Sequence, residues 1–283
     1  MKPSYTPDEA DHLVRIAYQL IFLREPDPVG ASTAVAHLLA QRLDLKSLFE
    51  TLLRSPEFAT MQMRFLHAYV APRSQELLND HSQNGEFKRI LDFLIANGST
   101  YKIIVDVGTR GRERSNSYDL LSYFAWQGLL VEANPALISS IREEFSGTNF
   151  ILEESAVCDY EGEAEFFFGI NDDISSLRRS AVAGWGEVKG KTTVQVRRLA
   201  TVLRKHDIPE EFDILSLDIE GEDIRVFNDL IDHSTFRPRL AIIEVGDAVD
   251  VNSLTSRGFS SRVEKDYVIS GTCGPNLFLV RRC

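Results

Sequence analysis

The chain has 283 residues, 43% hydrophobic and 26% charged, with a formal net charge of -11. That composition supplies a buried core and excludes extended disorder, and the acidic balance excludes a protein that tracks nucleic-acid phosphates with a broadly basic face. No apolar run reaches the roughly 20 residues that span a bilayer, and the opening MKPSYTPDEADH lacks the apolar core of a secretory signal, so the expected location is cytoplasmic.

Residues 1 to 98 read as an all-α segment. Thr6-Pro7-Asp8-Glu9 offers a capping residue, Pro at the first helical position and Glu three residues after the cap. Leu13, Ile16, Ala17, Leu20 and Leu23 follow at helical spacing and predict one buried stripe. The helix stops near Arg24-Glu25-Pro26, and Asp27-Pro28 starts the next; Ser55-Pro56-Glu57 repeats the device. A last helix, about Glu86 to Ala96, ends at Asn97-Gly98.

From residue 99 the pattern changes, which divides the chain into domains 1–98 and 99–283. Strands are predicted at Lys102–Val107, Leu129–Glu132, Phe150–Glu153, Phe212–Leu217 and Leu240–Val245. Helices fit Ser117–Trp126, Pro135–Phe145, Leu199–His206 and Glu222–Ile231. Short apolar strands alternating with helices predict an α/β fold with a mostly parallel sheet covered on both faces. After Gly258, Phe259–Val263, Tyr267–Ser270 and Asn276–Val280 read as strands that add an antiparallel hairpin at the sheet edge. Residues 169 to 192 read as a loop, with Arg178, Arg179 and Trp185, that carries substrate specificity.

Cys158, Cys273 and Cys283 are too far apart and too few for a disulfide framework or zinc site, and six scattered histidines add no metal motif. The strongest basic cluster, Arg178, Arg179, Lys189, Lys191, Arg197 and Arg198, reads as a solvated face, so no nucleic-acid partner is expected.

The chemistry concentrates at predicted strand ends. The first strand runs into Asp106-Val107-Gly108-Thr109-Arg110-Gly111 and the second into Glu132-Ala133-Asn134-Pro135. In an open parallel sheet, ligands sit at the carboxyl ends of the strands. Glycines there admit a ligand close to the backbone, and an acid on the second strand accepts hydrogen bonds from ribose hydroxyls. The pattern points to an adenosine nucleoside. The spacing lacks the G-x-G-x-x-G of a dinucleotide site, and Asp106 suits a ligand with ammonium and sulfonium groups better than two phosphates. The fourth strand ends in Asp218-Ile219-Glu220 and the fifth in Glu244, so three more carboxylates are expected on the same rim.

The order and spacing of several blocks resemble the FkbM family of methyltransferases. These are Asp106-Val107-Gly108, Ser115-Asn116-Ser117-Tyr118, Glu132-Ala133-Asn134-Pro135, Ala156-Val157-Cys158-Asp159 followed by Gly162, Ser175-Ser176-Leu177, Asp218-Ile219-Glu220-Gly221-Glu222, and Ile243-Glu244 after Pro238. The resemblance implies a Rossmann-like seven-stranded methyltransferase sheet, S-adenosylmethionine as methyl donor, and O-methylation of a hydroxyl on a sugar, glycan or natural product. It implies that Asp106, Gly108 and Gly111 hold the methionine end, within a donor set that includes Thr109, Arg110, Ser115, Asn116, Ala133 and Asn134. It further implies that Glu132 binds the ribose, Ala156 and Val157 flank the adenine, and Asp218 borders the methyl group and acceptor. Two departures stand out: the glycine loop is one residue shorter than is usual, with Thr109-Arg110 where Ala and Asn are common, and Ser216 stands where Lys is frequent. The N-terminal segment resembles a small helical domain that recurs in bacterial multidomain proteins, on Tyr18, Arg24-Glu25-Pro26-Asp27-Pro28, Gly30 and Ser55-Pro56-Glu57-Phe58. That match implies a bacterial origin and a role in protein contacts or oligomerisation.

Methyl transfer to a hydroxyl gains from a base or from a metal that stabilises the alkoxide. The expected catalytic group is Asp218 as base or orienter, helped by Glu220 or Glu244. In a variant, Asp218 and Glu244 hold Mg²⁺ as hard oxygen ligands. The competing functions are a non-catalytic docking module that keeps the fold, separated by whether S-adenosylhomocysteine binds, and an NAD-dependent oxidoreductase, disfavoured by the glycine spacing.

Overall fold

The computed structural model describes residues 5–22, 24–58, 80–170, 174–246 and 253–282. The chain forms two compact units, Met1–Pro72 and Arg73–Cys283.

The first unit contains α1 (Pro7–Phe22), α2 (Pro28–Leu39) and α3 (Leu45–Leu53). The predicted capping box forms: the Thr6 N–H donates to Glu9 Oε2 at 2.8 Å, and the Glu9 N–H donates back to Thr6 Oγ1 at 3.3 Å. Asp27 caps α2 by accepting from the Gly30 N–H at 2.8 Å, and Ser55 Oγ accepts from the Phe58 N–H at 3.1 Å. The buried stripe of α1 is Ala10, Val14, Ala17, Tyr18 and Ile21, packed with Leu38, Leu48 and Leu52. Of the predicted stripe only Ala17 is buried; Leu13 and Ile16 flank it half-buried, and Leu20 and Leu23 fall outside the described side chains. Both rows have helical spacing, so periodicity alone left the stripe's rotation open.

The second unit opens with α4 (Glu86–Asn97). Composition groups this helix with the preceding ones, yet it packs beside the sheet: Glu86 accepts from Asn276 Nδ2 at 2.9 Å, and the Arg239 guanidinium stacks over Phe93. There follow β1 (Ile103–Val107), α5 (Tyr118–Phe124), β2 (Gln127–Val131), α6 (Ile138–Glu144), β3 (Asn149–Glu153), β4 (Ala156–Cys158), β5 (Gly162–Gly169), β6 (Ser175–Ser176) and α7 (Arg179–Trp185). The chain continues through β7 (Val188–Arg198), α8 (Leu199–Lys205), β8 (Glu211–Leu217), α9 (Asp223–His233), β9 (Arg237–Glu244), α10 (Ser261–Asp266), β10 (Tyr267–Cys273) and β11 (Asn276–Arg281).

Seven strands form one sheet in the order β10-β11-β9-β8-β1-β2-β3. The five from β9 to β3 are parallel, and β11 and β10 close the edge antiparallel, as predicted. Val105, Val107, Leu215, Leu217 and Ala241 share one core with Leu203 of α8 and Phe227 and Leu230 of α9. The strand order reverses between β1 and β8, and that switch point is where a doubly wound sheet opens a crevice at its carboxyl ends.

Two stretches differ from the prediction. The predicted strand Phe259–Val263 is largely helix α10, because Ser260 Oγ accepts from the Val263 N–H and caps it while Val263 is buried. Residues 169 to 192, predicted as loop, include β6, α7 and the start of β7. Residues 171–173 of that stretch lie outside the described residues; β6 and β7 belong to a second sheet, β4-β7-β5-β6, that the sequence did not predict, and its core is Ala156, Cys158, Phe166, Val194 and Val196.

Candidate functional site

A cleft of about 500 Å³ lies at the carboxyl ends of β1, β2, β8 and β9 and extends over β4. Of the fifteen residues expected to bind the donor or act in catalysis, Gly108, Arg110, Glu132, Ala133, Ala156, Val157, Asp218, Glu220 and Glu244 line it. The remaining six lie behind or beside this wall. Asp106 is buried, with Oδ2 accepting from Ser117 Oγ at 2.6 Å. The Thr109 hydroxyl donates to the Asp106 carbonyl at 2.8 Å, Ser115 Oγ lies 3.1 Å from Ser117 Oγ, and Asn116 Nδ2 donates to Ser216 Oγ at 3.1 Å. Gly111 is buried beside Glu144, and Asn134 is folded back on Glu132 and Ala136. The polar set centred on Asp106 therefore shapes the loop from beneath, with Ser216 inside the network.

The loop at Gly108 is built by close approach. Its N–H donates to the Val131 carbonyl at 2.9 Å, and the neighbouring Asp218 N–H donates to the Val107 carbonyl at 3.0 Å. Gly108 has φ +89°, and a Cβ there would stand 1.8 Å from the Asp218 carbonyl oxygen. Only glycine fits.

Glu132 continues β2 into the cleft, where Oε1 accepts from the Asn134 N–H at 2.5 Å. Burial pushes its carboxyl up to about 7, against the opposing pull of the Asn134 and Ala133 N–H groups. Beyond it, Asp218, Glu220 and Glu244 each bring a carboxylate oxygen to within 4.8 Å of the others. Burial, then the charge of Glu244, raises Asp218 to about 8; Glu220 and Glu244 rise to about 7, again chiefly by burial. The charges that act on Asp218 come from other acids, Glu244, Asp106 and Glu86. Such a cluster favours an incoming cation or a proton to share.

Glu220 takes a left-handed backbone, φ +55°, followed by Gly221 at +101°. Asp223, itself pushed up to about 7 by burial and by Asp218, holds that turn by accepting from the Ile219 and Gly221 N–H groups at 2.9 and 3.0 Å. Capping at this strand end thus falls to Asp223, which leaves Glu220 on the cleft wall.

Several cleft residues escaped sequence reasoning. Gln83, from the segment ahead of α4, and Pro275, from the β10–β11 turn, reach the wall only through tertiary structure. Glu222, which the sequence placed in the Asp218–Glu222 block without a role of its own, is buried on the cleft wall and pairs with Arg178 and Arg225. Of the basic cluster, Arg178, Lys191, Arg197 and Arg198 each pair with an acid, and only the Glu165 partner of Lys191 is exposed. No helix among the described residues is long and apolar enough to cross a membrane.

In comparison with known protein families, residues 106–259 match the Methyltransferase FkbM domain. That stretch covers more than half of the chain and holds every strand end described above. No curated protein matches the chain.

Proposed function

Since the chain belongs to the FkbM methyltransferase family, we propose that it O-methylates a hydroxyl of a sugar, glycan or natural product, with S-adenosylmethionine as donor. The observation that carries this reading is the gathering of Glu132, Asp218, Glu220 and Glu244 in one cleft beside a glycine turn. The cleft's volume is within the range of small-molecule sites, and its donor set fits the group: a buried carboxylate for two ribose hydroxyls, and a cluster of acids for a cation.

Bound, the donor supplies a methyl group already activated on a sulfonium centre. Glu132 accepts from the ribose hydroxyls, Ala156 and Val157 flank the base, and the Asp106 network holds the loop under the methionine end. Asp218 would take the proton of the acceptor hydroxyl, while the donor would supply the methyl group and leave as the neutral thioether. A carboxylate raised to about 8 is matched to that task near neutral pH, and Glu244, within hydrogen-bonding reach of Asp218, shares the proton. Alignment and exclusion of water supply the rest.

The test is Asp218→Asn in a methyl-transfer assay. Turnover should fall by about 10²-fold or more, the scale of a lost general base, while calorimetric titration with S-adenosylhomocysteine keeps its affinity. Unchanged turnover removes Asp218 from the mechanism, and absent binding at millimolar ligand favours the docking module. In a variant of this reading, Asp218 and Glu244 would hold Mg²⁺ as hard oxygen ligands; activity that withstands a chelator excludes it.

A further inference from the structure

Trp185 closes α7, lines the cleft and leaves 69% of its surface exposed, whereas the other tryptophan, Trp126, is 3% exposed. Its indole N–H favours the charged form of Glu220, which sets the ring beside the acidic cluster. The helix that carries it is anchored: Val182 is buried, Arg178 pairs with Glu222, and the neighbouring Ser176 Oγ donates to the Glu220 carbonyl at 2.9 Å. A large aromatic face left uncovered on the wall of a cleft, beside a group of acids, is a surface that a ligand can cover.

The chemistry around the ring narrows that ligand. One side is a flat apolar π face; beside it stand Asp218, Glu220 and Glu244, which accept hydrogen bonds from several hydroxyls. A pyranose ring matches both, with an apolar C–H face and a hydroxylated rim. An open-chain polyol has the hydroxyls without the flat face. A phenolic ring has the face with too few hydroxyls to engage three acids. We propose that Trp185 is the acceptor platform, stacking the C–H face of a pyranose whose hydroxyls turn toward Asp218, Glu220 and Glu244. Trp185 is then a specificity-determining residue, because the tilt of the sugar on the indole selects which hydroxyl is presented for methylation. This rests on the methyltransferase reading of the same cleft.

With one tryptophan buried and one exposed, acrylamide quenching of the intact wild-type chain reports on Trp185. Saturating methyl glucopyranoside, galactopyranoside or rhamnopyranoside, with S-adenosylhomocysteine present, should cut the quenching constant by about half, as covering one face of a two-faced ring requires. Sorbitol and catechol should leave it unchanged. The proposal is overturned if none of the pyranosides shields Trp185, if sorbitol or catechol shields it equally, or if S-adenosylhomocysteine alone shields it, which would assign the ring to the donor. The pyranoside titrations are repeated without S-adenosylhomocysteine, so that failure of the donor to bind counts against the methyltransferase reading and shielding by sugars still judges Trp185. In saturation-transfer NMR, Trp185→Ala should weaken the binding of the shielding pyranoside about tenfold, the scale of a stacked hot-spot aromatic, and Trp185→Phe much less. Both variants should keep their S-adenosylhomocysteine affinity; an Ala variant that binds the sugar as wild type does overturns the platform.

Discussion

Gly108→Ala tests the geometry on which the cleft depends. The added Cβ would lie 1.8 Å from the Asp218 carbonyl oxygen and 2.8 Å from its carbon, against the roughly 3.5 Å of an ordinary contact. Relief requires the ends of β1 and β8 to part by roughly 1.5 Å, which stretches the Asp218 N–H bond to Val107. A left-handed alanine at φ +89°, local overpacking and one weakened hydrogen bond together cost of the order of 4 kcal/mol. In a unit of this size that lowers Tm by about 10 °C. A displacement of 1 Å or more in the donor loop should also weaken S-adenosylhomocysteine binding by about 10²-fold, because the loop and the reacting end move together. Gly147→Ala is the control: φ is +85° there too, but nothing lies within 4 Å of its Cβ. Only the backbone cost of about 1 kcal/mol applies to that variant. Thermal denaturation and calorimetric titration measure both quantities. If Gly108→Ala melts with Gly147→Ala and binds the ligand as wild type does, the contact between the glycine turn and Asp218 does not exist.

Three further outcomes follow from the site. Glu132→Gln keeps the side-chain shape and removes the charge, so S-adenosylhomocysteine affinity should drop about tenfold to a hundredfold by calorimetry; full affinity would take Glu132 out of ribose binding. With Asp218 raised to about 8 and Glu244 to about 7, kcat/KM should climb as pH rises through that window, and a profile flat from pH 6 to 9 would contradict Asp218 as base. These raised values also mean that, between about pH 4 and 8, the folded chain holds protons that the unfolded chain has lost, so the unliganded protein should lose stability as pH increases over that range. The cationic S-adenosylmethionine should then offset the loss more than neutral S-adenosylhomocysteine does, and equal protection by both ligands at pH 8 would remove the acids from contact with the sulfonium.

The parallel sheet was legible because β1, β8 and β9 carry short apolar runs, Ile103-Ile104-Val105, Ile214-Leu215 and Leu240-Ala241-Ile242-Ile243, with an acid at or near the carboxyl end, and a buried parallel strand leaves that mark. Asp218, Glu220 and Glu244 were legible for the same reason. The second sheet was not: along β7, Lys189, Lys191, Thr193 and Gln195 alternate with half-buried residues, and only Val194 and Val196 are buried, so the apolar signal is faint. Phe259 and Val263 stand four apart, a spacing that leaves strand and helix open until Ser260 is seen to cap the turn. Gln83 could not be found from its neighbours, because its place at the cleft comes from the packing of a distant segment. Asp218, Glu220 and Glu244 reach the cleft from the ends of their own strands, whereas Gln83 and Pro275 are delivered to it by tertiary contacts.

Strand β8 itself separates a structural carboxylate from a chemical one. Asp213, near its start, is fully buried and accepts from the Thr100, Tyr101 and Lys102 N–H groups at 2.9, 2.7 and 2.6 Å, with Arg239 at 2.8 Å. Three backbone donors and a guanidinium compensate that charge, and it fastens the entry to β1. Asp213→Ala should therefore cost about 3 to 5 kcal/mol of stability, since it strands three backbone donors and takes away the acid paired with Arg239, while the protein that remains folded keeps its donor affinity. Asp218, five residues on, stands at the opposite end of the same strand among carboxylates, with its carboxyl pushed far above the ordinary range. Asp213 is fully buried and Asp218 half-buried on the cleft wall, and what sets Asp218 apart is the acids that surround it. An acid that folding leaves uncompensated, at the end of the strand where the crevice opens, is stabilised only by what enters from outside: a proton, a cation or a hydroxyl.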